Sequence, residues 1–203
     1  MITTDTQIKN IIEESLLKAT SYQEYRTLVQ NLVAEGKSTG ETQTDALSNY
    51  SMLNDKRMKR LDKTTKLTEE TINEVTAYNG NVTWLVLTES WCGDAAQTMP
   101  IINKLAELND NITMKVVLRD ENEALMNEFL TNGGKSIPKL IAIDNTSGNV
   151  IGDWGPRPSI ATQMVHDYKA KHGKLTPEFK QDLQVWYNKD KGQNTVADLL
   201  KLI

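Results

Sequence analysis

Cys92 is the only cysteine in a chain of 203 residues, and its surroundings in the sequence give the sulfur a chemistry. It follows Val82-Thr83-Trp84-Leu85-Val86-Leu87, a run of β-branched and large apolar residues long enough for one buried strand. Beyond it Ile101, Ile102, Leu105, Ala106 and Leu108 recur at helical spacing. The sulfur thus falls where a buried strand gives way to a helix, and the unpartnered amides and positive dipole end there favour thiolate over thiol. Asp94 works the other way. A carboxylate ~7 Å from the sulfur opposes the thiolate by roughly 0.6 to 2.4 kcal/mol at an effective dielectric of ~20 to 80. The two effects cancel, so the expectation is an exposed Cys92 with a pKa within about one unit of the ~8.5 of a free thiol. Two bland alternatives stand beside this: an unpaired cysteine packed and inert, and an Asp94 that merely complements the helix amides.

The other reactive residue types are less informative. His166 and His172 are six apart with no carboxylate or cysteine at ligand spacing, so no metal site is expected. Gly133-Gly134 is too bare for a phosphate loop, and Lys56-Arg57-Met58-Lys59-Arg60 reads as a solvated helix face. No cofactor is called for. Basic and acidic residues number 23 and 27, a net charge of −4, which gives no reason to expect a nucleic acid partner. One cysteine excludes an intrachain disulfide and suits a reducing compartment. Met1-Ile2-Thr3-Thr4-Asp5 has no basic patch ahead of an apolar run, and no apolar stretch approaches the ~20 residues that cross a bilayer. The expected location is the cytoplasm, away from membranes.

Several elements must hold Cys92 in place. Residues 5–19 read as a helix with Ile8, Ile11, Ile12 and Leu16 on one face. Ser21-Tyr22-Gln23-Glu24 has a reciprocal capping pattern and opens a second helix, striped by Tyr22, Tyr25, Leu28, Val29, Leu32 and Val33 and closed at Glu35-Gly36. Lys37-Ser38-Thr39-Gly40 reads as a polar loop. A third helix runs over 44–61 through Leu47, Tyr50, Leu53 or Asn54, and Met58; a fourth opens at Thr68-Glu69-Glu70 with Ile72 and Val75 inward. After the cysteine helix come a strand over 112–118, a helix with Leu125, Met126 and Phe129, and a hairpin of Lys139–Ile143 and Asn149–Asp153 around Asn145-Thr146-Ser147-Gly148. Pro158 suits the first turn of a helix carrying Ile160, Met164, Val165 and Tyr168. Thr176-Pro177-Glu178 starts another with Phe179, Leu183 and Trp186, and Asn194 is placed to cap a last one with Val196, Leu199 and Leu200.

Three landmarks in order resemble the thioredoxin family: Trp91-Cys92-Gly93, Pro100 eight residues after the cysteine, and Ser136-Ile137-Pro138 ahead of the strand Lys139–Ile143. The resemblance implies an α/β thioredoxin-like fold, a central mixed sheet flanked by helices, with helical additions at both ends. Residues 1–80 would be the N-terminal extension packed on the core, 81–173 the core and 174–203 the C-terminal tail, all parts of one compact unit. A helical array ahead of Trp-Cys-Gly-Asp is similar to a bacterial branch of that family. The departures are as definite. Ala95 stands where the family has its resolving cysteine, Asp94 where it has a proline, and Val86 where it has a buried carboxylate that assists proton transfer.

For function, the resemblance implies that a dithiol cycle within the chain is impossible and that Cys92 forms mixed disulfides with a protein or a low-molecular-weight thiol, resolved by a second external thiol. The rival expectation is a redox-inactive module that binds peptides or a partner in a groove of Trp91, Ile137, Pro138 and Trp154. A two-chain cluster carrier like the monothiol glutaredoxins lacks its small-thiol-binding pattern here. The candidate substrate-binding residues are Trp91, Gly93 and Asp94, with Ile137 and Pro138 offering backbone groups to an extended chain. Trp154 and Arg157 border the thiol by the same resemblance, Arg157 pairing with an anion or the thiolate, or else simply solvated. Lys139 adds a positive charge if it points outward. Oligomeric state is left open.

Overall fold

The computed structural model describes residues 4–203; Met1, Ile2 and Thr3, on which part of the leader-peptide reading rests, lie outside the described residues. Four helices come first, α1 (Thr4–Leu16), α2 (Tyr22–Ala34), α3 (Asp45–Thr64) and α4 (Glu69–Thr76). Then come β1 (Val82–Thr88), α5 (Gly93–Ala106), β2 (Ile112–Leu118), α6 (Glu123–Glu128), the hairpin β3 (Lys139–Asp144) and β4 (Val150–Trp154), and finally α7 (Ser159–His172), α8 (Pro177–Asp190) and α9 (Gln193–Leu199).

The four strands form one mixed sheet in the order β2-β1-β3-β4. β1 is parallel to β2 and antiparallel to β3, and β3 is antiparallel to β4. Every residue of β1 is buried, as its unbroken apolar run requires of a central strand covered on both faces. The mixed sheet flanked by helices, with helical additions at each end, is the expected fold class.

The leading helices join the sheet in a single apolar core. Ile12, Tyr22, Tyr25, Val29, Met58 and Val75 pack in the same cluster as Trp84, Leu85, Ile101, Leu105, Leu140 and Ile141. Ser21 caps α2 with the reciprocal pattern complete, its hydroxyl receiving Glu24 N–H and Glu24 receiving Ser21 N–H. The inward face of α3 departs from its apolar spacing. Ser51, Asn54 and Met58 are buried while Tyr50 and Leu53 are exposed, because this face meets a polar turn rather than apolar side chains. In α4 Thr71 is buried and Ile72 exposed, and in α7 Ala161 takes the inward place expected of Ile160.

Of the three helix-start expectations near the carboxyl end, that at Thr176-Pro177 holds and the other two fail for a shared reason. Pro158 is the N-cap of α7 rather than a first-turn residue, and has no side chain to cap with. Asn194 lies inside α9, which Gly192 precedes. Asn194 and Asp198 instead cap α7 across the gap, receiving the amides of Ile160 at 2.8 Å and Ser159 at 2.6 Å. The orphan donors of α7 are satisfied by another helix.

The peptides Ile137–Pro138 and Gly155–Pro156 are both cis. Gly155 has φ +120°, and a Cβ there would meet the Pro138 carbonyl oxygen at 2.1 Å. Only glycine lets the loop after β4 come this close to the start of β3. Gly155→Ala is expected to destabilise by about 3 kcal/mol or more and to lower Tm by roughly 10 °C. A melting curve within a degree or two of wild type would contradict this close approach.

Candidate functional site

Cys92 is the N-cap residue of α5. Its Sγ receives the Ala95 amide at 3.5 Å, and its thiol donates to the Ile137 carbonyl at 3.2 Å. The strand-to-helix seat is where the sequence puts it; the exposure is not. Cys92 is 8% exposed. Burial pushes its thiol up to about 12, the Asp94 carboxylate adds to the rise, and the Ala95 and Asp94 amides and Arg157 oppose it. The expected pKa near 8.5 is therefore corrected upward, because desolvation was left out of the balance between helix amides and Asp94.

Asp94 does more than complement the first turn of α5. Its carboxylate pairs with Arg157 Nη2 at 2.7 Å and receives the Tyr187 hydroxyl at 3.0 Å. Its pKa is nonetheless raised by burial, with Arg157 and Tyr187 pulling it down. Burial and the neighbouring Asp94 likewise hold Tyr187 well above the usual phenol range. Arg157 is thus engaged rather than solvated. Tyr187 belongs to α8, where it takes the inward place expected of Trp186: Phe179, Leu183 and Tyr187, four apart, form the buried face, and Trp186 is only half-buried.

Ahead of the cysteine, the Glu89-Ser90 turn is tied down by residues that read as loop and surface. Thr39 donates to Glu89 in a very short hydrogen bond, and its backbone N–H meets Ser90 Oγ at 2.9 Å. Ser51 Oγ lies 2.6 Å from Ser90 Oγ, and Asn54 Nδ2 donates to the Ser90 carbonyl at 2.9 Å. Glu89 also receives the Asp120 amide at 3.0 Å, and burial raises its pKa. Asn54 carries the network on to Arg57, whose Nη1 donates to Asn54 Oδ1 at 3.0 Å. A buried polar cluster of this kind is invisible to hydrophobic periodicity. The only trace in the sequence is that Ser51, Asn54 and Met58 share a helical face with the apolar member last.

Beside the cysteine lies a cleft of about 540 Å³. Of the expected substrate-binding residues, Trp91, Gly93, Asp94 and Arg157 line it. Ile137 contributes the carbonyl that receives the thiol, the residue as a whole only 7% exposed, and Pro138 is buried. Trp154 does not line the cleft: it is buried against α9, with Nε1 3.4 Å from Asp198. An open groove of Trp91, Ile137, Pro138 and Trp154 is therefore not what the fold presents, because three of the four are covered. Lys139 also points away, paired with Asp153 at 3.1 Å. Trp91 is stacked on its other side by Arg119, 4.9 Å from the ring centre. Arg57, expected on a solvated face, is half-buried against Gly93 in the cleft wall; Lys56, Lys59 and Arg60 are exposed.

Among the described residues no group of three or more His, Cys, Asp or Glu side chains is arranged to hold a metal ion. No helix there is long and apolar enough to cross a membrane.

Alkylation of Cys92 is expected to keep accelerating beyond pH 9 rather than level off near 8.5. Asp94→Asn should lower the apparent thiol pKa, since it removes a contribution that raises it and frees the Arg157 cation. The pH dependence of iodoacetamide labelling in the two proteins measures both. A plateau at the same pH in wild type and variant would rule out the Asp94 contribution.

The model of a family described as thioredoxin matches residues 40–169. The fold is similar to that of a protein of unknown function from Pseudomonas aeruginosa, at a TM-score of 0.57 and 16% identity over 90% of this chain and 96% of that one. It is similar also to an HIV epitope-scaffold, at a TM-score of 0.56 and 17% identity over 90% and 97%. No curated protein matches the chain. The matched span leaves out α1, α2, α8 and α9, and so Tyr187.

Proposed function

The chain belongs to the thioredoxin family, and from that premise we propose that it carries out thiol–disulfide exchange with Cys92 as its single reacting thiol. The observation that supports this is the seat of the sulfur. Sγ caps α5 and receives the Ala95 amide, with the Ile137 carbonyl on its other side to hold the thiol proton. Once deprotonated, Cys92 attacks one sulfur of a disulfide R–S–S–R′. The Cys92–S–R bond forms, the S–S bond breaks, and R′–S⁻ leaves and takes up a proton. A second thiol R″–SH, as thiolate, then attacks the R sulfur, releasing R–S–S–R″ and restoring Cys92. Electrons balance, with one disulfide consumed and one formed, and no cofactor is needed. Partners on this reading are protein or small-thiol disulfides in a reducing compartment, the cytoplasm.

A redox-inactive binding module is the second reading, favoured by the burial of Cys92 and by a pKa pushed up to about 12. Its surface would be the cleft of Trp91, Gly93, Asp94 and Arg157 rather than a groove at Pro138 and Trp154.

Exchange with a small mixed disulfide should be measurable in wild type and absent in Cys92→Ser. Insulin reduction coupled to thioredoxin reductase should be absent even in wild type, because position 95 holds alanine. Equal exchange by wild type and Cys92→Ser would defeat the proposal. No adduct on wild-type Cys92 from any disulfide would give the case to the binding module.

A further inference from the structure

We propose that the cleft beside Cys92 selects a small acidic thiol or disulfide, its carboxylate held by Arg57 with Lys180 at the rim; this rests on the exchange reading. The charge of the cleft is the first reason. Arg57, Arg157 and Lys180 line it against the single carboxylate of Asp94. Asp94 is already committed to Arg157 and Tyr187. Among the described residues neither Arg57 nor Lys180 has a carboxylate within ion-pair distance, and Arg57 donates only to the neutral side chain of Asn54. A half-buried guanidinium with no carboxylate in ion-pair contact is unfavourable: burial, followed by the nearby Arg60, depresses its pKa, and Asp94, farther off and already paired, only partly offsets this. Arg157 Nε is also buried without a hydrogen-bond partner. The cleft thus carries an excess of guanidinium and ammonium charge over its one, already paired, carboxylate, in a protein whose overall charge is −4.

Geometry supplies the second reason. A Cβ on Gly93 would lie 3.6 Å from Arg57 Nη1, so the guanidinium stands over the residue next to Cys92. Cys92 itself does not line the cleft, but both its chain neighbours, Trp91 and Gly93, do, so an anion held there lies against the residues that flank the sulfur. Leu47, Tyr50, Leu175 and Leu183 supply apolar wall for its carbon skeleton, Leu183 and Lys180 from α8. The volume of about 540 Å³ suits a small molecule. Lys180 and Leu183 lie beyond the matched span of 40–169, so half of this selectivity belongs to the C-terminal addition.

The test compares three disulfides of graded charge at low ionic strength: oxidised glutathione, neutral hydroxyethyl disulfide and cationic cystamine. Adduct formation on Cys92 is followed by mass spectrometry. The expected order is acidic, neutral, cationic, with about tenfold or more between the ends, and Arg57→Gln or Lys180→Gln should shrink that ratio. Equal rates for all three probes would overturn the proposal and leave thiol exchange standing. Binding is read separately by titrating S-methylglutathione, which cannot exchange, into Cys92→Ala. Binding that weakens with salt and is lost when Arg57→Gln is added supports the acidic-ligand cleft even if no disulfide reacts, an outcome that would sink only the exchange reading. No binding at millimolar concentration, or tighter binding by a short acidic peptide than by S-methylglutathione, would overturn it.

Discussion

A carboxylate one residue into a helix and next to a buried thiol cannot leave water alone. Asp94 resolves this with Arg157 at 2.7 Å and the Tyr187 hydroxyl at 3.0 Å, and much of the site follows. Arg157 is within reach only because the loop after β4 folds back along β3, with Gly155 pressed against the Pro138 carbonyl. Tyr187 is within reach only because α8 lies over the start of α5. Removing either partner would strand a buried charge, at a cost of about 3–5 kcal/mol for a fully buried pair and less here, since Arg157 keeps 24% of its side chain exposed. The pair is no measure of stability by itself. What it fixes is geometry: a loop, a helix and the cysteine helix in one arrangement.

A second constraint acts from the amino-terminal side. The turn Glu89-Ser90 must present Cys92 at the end of a fully buried strand, where its own polar groups have no water. Thr39, Ser51 and Asn54 supply the partners. The helices ahead of β1 therefore do more than cover the sheet. They complete hydrogen bonds that the core strand leaves open, and through Asn54 they set Arg57 in the cleft wall. The family match begins at residue 40, one residue after Thr39 and ahead of α3, consistent with α3 belonging to the site.

How much could be read from the sequence follows from the kind of force involved. The strand–cysteine–helix order, the Ser21 capping box, the Thr176 cap and the hairpin are legible, because each rests on local spacing of apolar or capping residues. The long-range polar partners are not. Nothing local in Ser51 or Asn54 says that Ser90 will be their neighbour, and nothing in Tyr187 points to Asp94, 93 positions away. The Cys92 pKa departs from its expected value for the same reason: helix amides and Asp94 are near in sequence, whereas the degree of burial is a tertiary property.

Burial of the thiol bears directly on how exchange would proceed. With its thiol pushed up to about 12 by burial and Asp94, Cys92 holds very little thiolate at neutral pH. A more basic thiolate is a better nucleophile, which recovers only part of that loss. The closed arrangement is thus a poor attacking state. Of its two main causes, burial and Asp94, the second is held by a hydrogen bond from α8. α8 packs with α7 in a small apolar cluster of its own, Ala161, Val165, Phe179, Leu183 and Tyr187, apart from the main core. It meets the cysteine helix through Tyr187 to Asp94 and Gln184 to Gln97. These polar links join α8 to the cysteine helix and hold the Asp94 carboxylate in place, and the same helix carries Lys180 and Leu183 into the cleft.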